Sequence, residues 1–161
     1  MLNQKIPHQD LTYKIIGCAM KIHSRLPRGL REIHYQNALQ NELLATGLVT
    51  TKEHHLEIYD GDVWLGRLYL DHWVSESVVV EDKAVTRTMN NDDLAQVLTY
   101  LAATQSQVGL FLNFGRDRLE YHRILATQPM QRNWQQNPHL WKQDIQKYLW
   151  KPNNYQPMIK H

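Results

Sequence analysis

The chain carries a single cysteine, Cys18, among 161 residues. That count excludes an intrachain disulfide framework. The nine histidines do not fall at zinc-like spacings with it, which argues against a structural zinc site. Cys18 lies in an apolar stretch, so burial is its expected role. Long apolar runs are missing as well. The longest, Val78–Val80 and Gly109–Leu112, have strand length, far below the roughly 18–20 residues that span a bilayer. The N-terminus lacks the basic, apolar and small-residue layout of a secretory signal. These absences lead us to expect a cytoplasmic protein with no membrane partner. A strong excess of one charge is also lacking. The formal net charge is +2, which is weak evidence for a polyanionic partner, although a local basic patch can exist within a near-neutral total.

What is present suits one packed domain. The hydrophobic fraction is 42 %, enough for a core and too high for a disordered chain. Asp10 can cap a helix in which Leu11, Ile15, Cys18 or Ala19, and Ile22 recur at helical spacing. Leu26-Pro27-Arg28-Gly29 breaks it. A second helix is expected from about Leu30 to Thr46, stopped at Gly47. The middle of the chain reads as β: His55–Tyr59, a hairpin at Asp60-Gly61, a return strand from Val63 to about Val74, a turn at Ser75-Glu76-Ser77, and Val78–Val85. Asn91-Asp92-Asp93 opens a third helix, followed by strands at Val108–Asn113 and Leu119–Leu125. Near Gln128 the composition shifts toward Gln, Asn, Pro and Trp. We therefore expect a domain over 1–127 and an extension over 128–161. The extension has one helix, His139–Trp150, whose Trp141, Ile145 and Leu149 share a face that can pack on the core. Trp134, Trp141 and Trp150 stand among Lys142, Lys147 and Lys151, a mixture that can also stack on bases and meet phosphates.

Three positions in the β region are unusual. A strand turns successive side chains to opposite faces, so Glu81 and Lys83 point one way and Asp82 the other. Three valines lead into this charged trio, as in a buried central strand. Charges there must meet solvent, partners or a metal. If the strands before and after the Ser75–Ser77 turn pair, Asp71 lies beside Glu81. Two carboxylates and a lysine make a hard-oxygen site for Mg²⁺ or Mn²⁺; they also make an ordinary solvated salt bridge. On the second helix Glu32 begins an apolar stripe continued by Tyr35, Leu39 and Leu43. It can favour the helix dipole or add a metal ligand. On the third helix Gln96 and Tyr100 share a face, either as part of a site or as an amphipathic boundary.

Taken in order, these residues form a pattern. Gly29 to Tyr35 reads G-x-x-E-x-x-Y. Asp71 follows, then Glu81-Asp82-Lys83 as E-x-K, Gln96 to Tyr100 as Q-x-x-x-Y, and Gly109 to Phe114. The set resembles the GxxExxY family of bacterial proteins, placed in the PD-(D/E)XK nuclease superfamily, over about Leu11 to Leu125. The resemblance implies an α/β fold with a restriction-endonuclease-like core, a central mixed sheet flanked by helices. It implies Asp71 and Glu81 as metal ligands, Lys83 as the catalytic lysine, Glu32 as an acidic contribution from the first core helix, and Gln96 and Tyr100 as supports of the site and the nucleic acid. His23 falls where the family often carries histidine, a further candidate ligand or a boundary residue. Two departures stand out. Family members commonly have an apolar residue where this chain has Asp82, which is expected to pair with a nearby Arg or Lys or to mark an exposed strand end. The family turn often reads L-G-P-G, against Leu26-Pro27-Arg28-Gly29 here.

The function expected on this basis is hydrolysis of phosphodiester bonds in DNA, or less readily RNA, by in-line attack of a water activated by Mg²⁺ or Mn²⁺, leaving a 5′-phosphate. The alternatives are a catalytically inactive nucleic-acid-binding or regulatory module, and an interaction subunit in which the carboxylates form structural salt bridges. A protein partner or homo-oligomer fits each of them.

Overall fold

The computed structural model describes residues 6–136. The first helix, α1, spans Gln9–Arg25 and α2 spans Glu32–Ala45. Three strands follow: β1 (Thr50–Asp60), β2 (Val63–Val74) and β3 (Val78–Lys83). Then come α3 (Asn91–Thr104), β4 (Val108–Asn113), β5 (Glu120–Leu125) and α4 (Gln128–Gln136). The five strands form one sheet in sequence order. All neighbours are antiparallel except β3 and β4, which run parallel. A parallel pair needs a crossover, and α3 provides it. The fold is mixed α/β, a central sheet flanked by helices.

Strand alternation sorts the core into two layers. Val78 and Val80 of β3, with Val108, Leu110 and Leu112 of β4, pack on Ile15, Ala19 and Ile22 of α1 and Leu39 and Leu43 of α2. Val79 and Phe111 point the other way, toward Val97 and Leu101 of α3. Cys18 is buried in the first layer. Burial on both faces explains why β3 and β4 open as valine- and leucine-rich runs.

The ends of the elements show local chemistry at work. α1 starts one residue before Asp10 and its N-cap is His8; Asp10 lies inside the first turn, where a carboxylate suits the helix dipole. At α3, the Asn90 side chain accepts from the Asp93 N–H, and the Asp93 carboxylate accepts from the Asn90 N–H, a reciprocal cap. The β1–β2 hairpin closes through Gly61-Asp62, and φ is positive at Gly61, the glycine-first arrangement of tight hairpins. β3 ends at Lys83 rather than Val85 because the Asn113 side chain takes the Val85 N–H and the Gly115 N–H. α4 had no counterpart in the sequence reading. Thr127 Oγ1 accepts from Met130 N–H, and Pro129 sits in the first turn, where its missing N–H costs nothing. Trp134 on α4 packs against the second core layer. The helix expected at His139–Trp150, with Trp141 and Trp150, lies outside the described residues.

Gly115 is a close-approach position. A Cβ there would stand 2.4 to 2.6 Å from backbone atoms of Val85 and Ala84. Backbone cannot swing aside as a side chain can, so Gly115→Ala is expected to cost about 1–3 kcal/mol through displaced backbone. The midpoint of urea unfolding checks this; an unchanged midpoint would show that the two segments separate freely.

Candidate active site

The β2–β3 register pairs His72 with Val80, Trp73 with Val79 and Val74 with Val78. Continued by one step, it sets Asp71 across from Glu81. Both are then on the α3 side of the sheet with Lys83, by alternation from Val79. Asp71 Oδ2 accepts the Asp82 N–H at 2.7 Å. Lys83 Nζ donates to Glu81 Oε1 at 2.6 Å and to Gln96 Oε1 at 3.4 Å. Gln96 Nε2 in turn donates to Tyr100 Oη at 2.7 Å. One hydrogen-bonded chain thus runs Glu81–Lys83–Gln96–Tyr100, from strand to helix, beside Asp71. Glu32, half-buried at the start of α2, lies within electrostatic reach of Asp71, Glu81 and Lys83. Its Oε1 accepts from Gln36 at 3.4 Å. His23 is directed to the β4–β5 loop, where its Nε2 lies 2.8 Å from the Arg116 carbonyl oxygen.

The electrostatics are those of crowded, buried acids. Burial, then the neighbouring Glu81 and Asp82 charges, push Asp71 up to about 9. Burial pushes Glu81 up to about 7 against the opposing pull of Lys83. Glu32 is also raised, first by burial. Burial works against the charged form of Lys83, but the Glu81 carboxylate outweighs it and holds the ammonium above its ordinary value. Tyr100 is pushed up to about 12 by burial and then by Glu81, so its hydroxyl stays protonated.

These shifts carry a sign. The folded protein retains protons on Asp71 and Glu81 that the unfolded chain releases near pH 4. Below that range both states are protonated and folding is unpenalised. As pH rises through about 7 and about 9 the metal-free fold loses stability. In EDTA, the melting temperature is expected to fall by at least about 4 °C between pH 5 and 9. Asp71→Asn is expected to flatten that slope. A melting temperature that stayed level or rose would show that the carboxyls are not strained by burial.

The donor chemistry here is of the kind that suits a divalent cation. Glu81 Oε2 is buried and has no hydrogen-bond partner among the described residues, an unusual state for a buried oxygen. The donors are hard carboxylate oxygens, the type that suits Mg²⁺ or Mn²⁺, and Asp71, Glu81 and Glu32 together exceed the single charge of Lys83. Among the described residues, however, no group of three or more His, Cys, Asp or Glu side chains is arranged to hold a metal ion.

The opposite face of β3 corrects one expectation. Asp82 neither pairs with Arg or Lys nor marks an exposed end. It is fully buried, and its Oδ2 lies 2.7 Å from His72 Nε2, with both side chains shielded from solvent. His72 Nδ1 lies 3.1 Å from Gln40 Oε1. The ring is thus held between two polar side chains, one from α2 and one from β3. Asp82 Oδ1 has no partner among the described residues. The sequence did contain the signal. Asp82 on an apolar face demands a partner, and His72 lies diagonally across from it, within reach of a long side chain.

A profile of the PD-(D/E)XK nuclease superfamily matches residues 9–124, the stretch that builds the sheet and every residue of this cluster. The chain belongs to that superfamily. No curated protein sequence matches it. Among solved structures this PD-(D/E)XK protein is similar to an alkaline exonuclease, LHK-Exo, from Laribacter hongkongensis. That likeness has 13 % identity, covers 92 % of this chain and 81 % of the other, and gives a TM-score of 0.45. A second similar structure is SSO0001, at 11 % identity over 80 % of this chain and 84 % of the other, with a TM-score of 0.41. No helix among the described residues of the PD-(D/E)XK protein is long and apolar enough to cross a membrane.

Proposed function

We propose that the protein is a divalent-metal-dependent nuclease of the GxxExxY type, hydrolysing phosphodiester bonds of DNA in preference to RNA. The observation that carries this reading is the unsatisfied, buried Glu81 Oε2 beside Asp71 and Lys83. Asp71 and Glu81 would hold Mg²⁺ or Mn²⁺, with Glu32 near enough to contribute. A cation bound there lowers the pKa of a coordinated water and offsets charge on a phosphoryl group.

The chain's own groups supply the rest. Lys83 is a fixed positive charge, tethered by Glu81 and Gln96, and it orients the attacking water or stabilises a phosphoryl oxygen as charge grows there. Gln96 and Tyr100 act through Lys83 as positioning residues. Buried surroundings strengthen each of these interactions relative to water. The second reading, an inactive nucleic-acid-binding or interaction module, is favoured by the lack of a ready three-ligand group among the described residues.

The deciding experiment incubates wild type and the Glu81→Ala, Lys83→Ala double variant with labelled single- and double-stranded DNA and RNA, in Mg²⁺, in Mn²⁺ and in EDTA. Metal-dependent cleavage by wild type that vanishes in the variant supports the nuclease. No cleavage of any substrate by folded wild type overturns it in favour of the inactive module.

A further inference from the structure

The C-terminal ends of parallel strands open onto ligand sites in α/β sheets. β3 and β4 both end at the edge that carries Lys83, and a second feature lies there, apart from the carboxylates. A cavity of about 350 Å³ is lined by Arg28, Thr86, Gly115, Arg116, Asp117 and Arg118. Thr86 is three residues beyond Lys83. Gly115 is two residues beyond Asn113, the register partner of Lys83. Arg28 is four residues before Glu32. Three separate segments therefore line one hollow at this edge, and two of them supply its arginines.

The hollow has a fixed frame and free cations. Its floor is pinned by the close backbone packing at Gly115, by Asn113 holding the Gly115 N–H, and by His23 at the Arg116 carbonyl. Arg28 forms an ion pair with Asp117, which ties the α1–α2 loop to the β4–β5 loop. Among the described residues, neither Arg116 nor Arg118 has a carboxylate within ion-pair distance. Three guanidinium groups against one carboxylate leave the hollow cationic in a chain of formal charge only +2. Planar guanidinium groups suit phosphate oxygens through paired N–H donors, and Thr86 adds a hydroxyl.

We infer that this cavity binds a phosphate of the substrate strand other than the one being cleaved. The inference rests on the nuclease reading for the identity of the strand, but not for the chemistry of the pocket. The phosphate has two sources, an internal phosphodiester or a terminal monophosphate. In either case the arginines anchor the strand and set its distance from Lys83. Asp117 moderates the pocket by holding Arg28.

The test measures binding without cleavage. Fluorescence anisotropy in EDTA is recorded for one labelled oligonucleotide with a 5′-phosphate and the same one with a 5′-hydroxyl, across a salt series. The proteins are wild type, the Arg116→Ala, Arg118→Ala double variant and Asp117→Asn. The alanine changes keep the Arg116 carbonyl that meets His23, and thermal melting confirms that each variant is folded. The double variant is expected to bind about tenfold more weakly or worse, with a salt slope shallower by about 0.7 per lost contact on a single strand. Asp117→Asn is expected to bind more tightly. Loss confined to the 5′-phosphorylated strand assigns a terminal monophosphate; equal loss on both assigns an internal phosphodiester. A folded double variant that binds both strands as wild type does overturns the inference, as does wild type that binds neither. Arginine-dependent binding without metal-dependent cleavage would sink the nuclease reading and leave the pocket standing.

Discussion

Lys83→Gln is expected to slow cleavage by about 10²–10³-fold, the usual cost of losing one charge-stabilising donor, while divalent-ion binding persists. The reason is the division of labour on β3. Lys83 Nζ occupies one oxygen of Glu81 and leaves the other without a partner among the described residues. Glutamine keeps a donor at roughly the same reach but carries no charge, so under the proposed function the carboxylates would keep their cation while the positive charge toward the phosphoryl group is lost. Glu81→Gln has the contrary signature: it is expected to lose cleavage and weaken ion binding together. Single-turnover cleavage rates and the rise in melting temperature with Mn²⁺ measure the two properties separately. Lys83→Gln cleaving within about threefold of wild type, well short of that usual cost, would reduce the lysine to a structural ion pair.

Breaking the buried pair on the other face should have the largest effect on stability. His72→Ala leaves Asp82 in the core with no partner on either oxygen among the described residues, and loss of one member of a buried pair typically costs about 3–5 kcal/mol. Replacing both, His72→Leu with Asp82→Val, removes the stranded charge and puts an apolar residue where the resembling family commonly has one. That double variant is expected to recover most of the loss. Urea unfolding of His72→Leu, of Asp82→Val and of the double closes the cycle. Independent, additive effects would show that His72 and Asp82 do not act as a pair.

These two faces of one strand also show how far the sequence can be read. Alternation along Val80-Glu81-Asp82-Lys83-Ala84 separates Glu81 and Lys83 from Asp82 without any tertiary information. Helical spacing likewise brings Gln96 to Tyr100. The bounds of β2 and β4 follow directly from their apolar patterns. β1 was harder, because Thr50 to Glu53 shows no apolar alternation. Glu53 has positive φ and drops out of the pairing with β2, so the strand begins before its pattern does. The Asp82 partner needed the register of two strands, and the arginine cavity needed three loops at once. Arg28, Arg116 and Arg118 stand close only after the sheet has formed, so no spacing rule reveals them. The family resemblance covered the motif residues and left these unmarked.

Because β3 carries Glu81 and Lys83 on one face and the buried Asp82 on the other, its phase cannot drift. A strand shifted by one residue exchanges its faces, which would send Lys83 and Glu81 into the aliphatic layer beneath α1 and α2 and leave Asp82 alone beside Asp71 and Gln96. Length changes in the turn at Ser75–Ser77 act on this phase directly, whereas the far hairpin at Gly61-Asp62 can grow without moving β3. Insertions and deletions among relatives should therefore gather at the hairpin tip and avoid the short turn, a pattern imposed by strand parity before selection for activity adds anything to it.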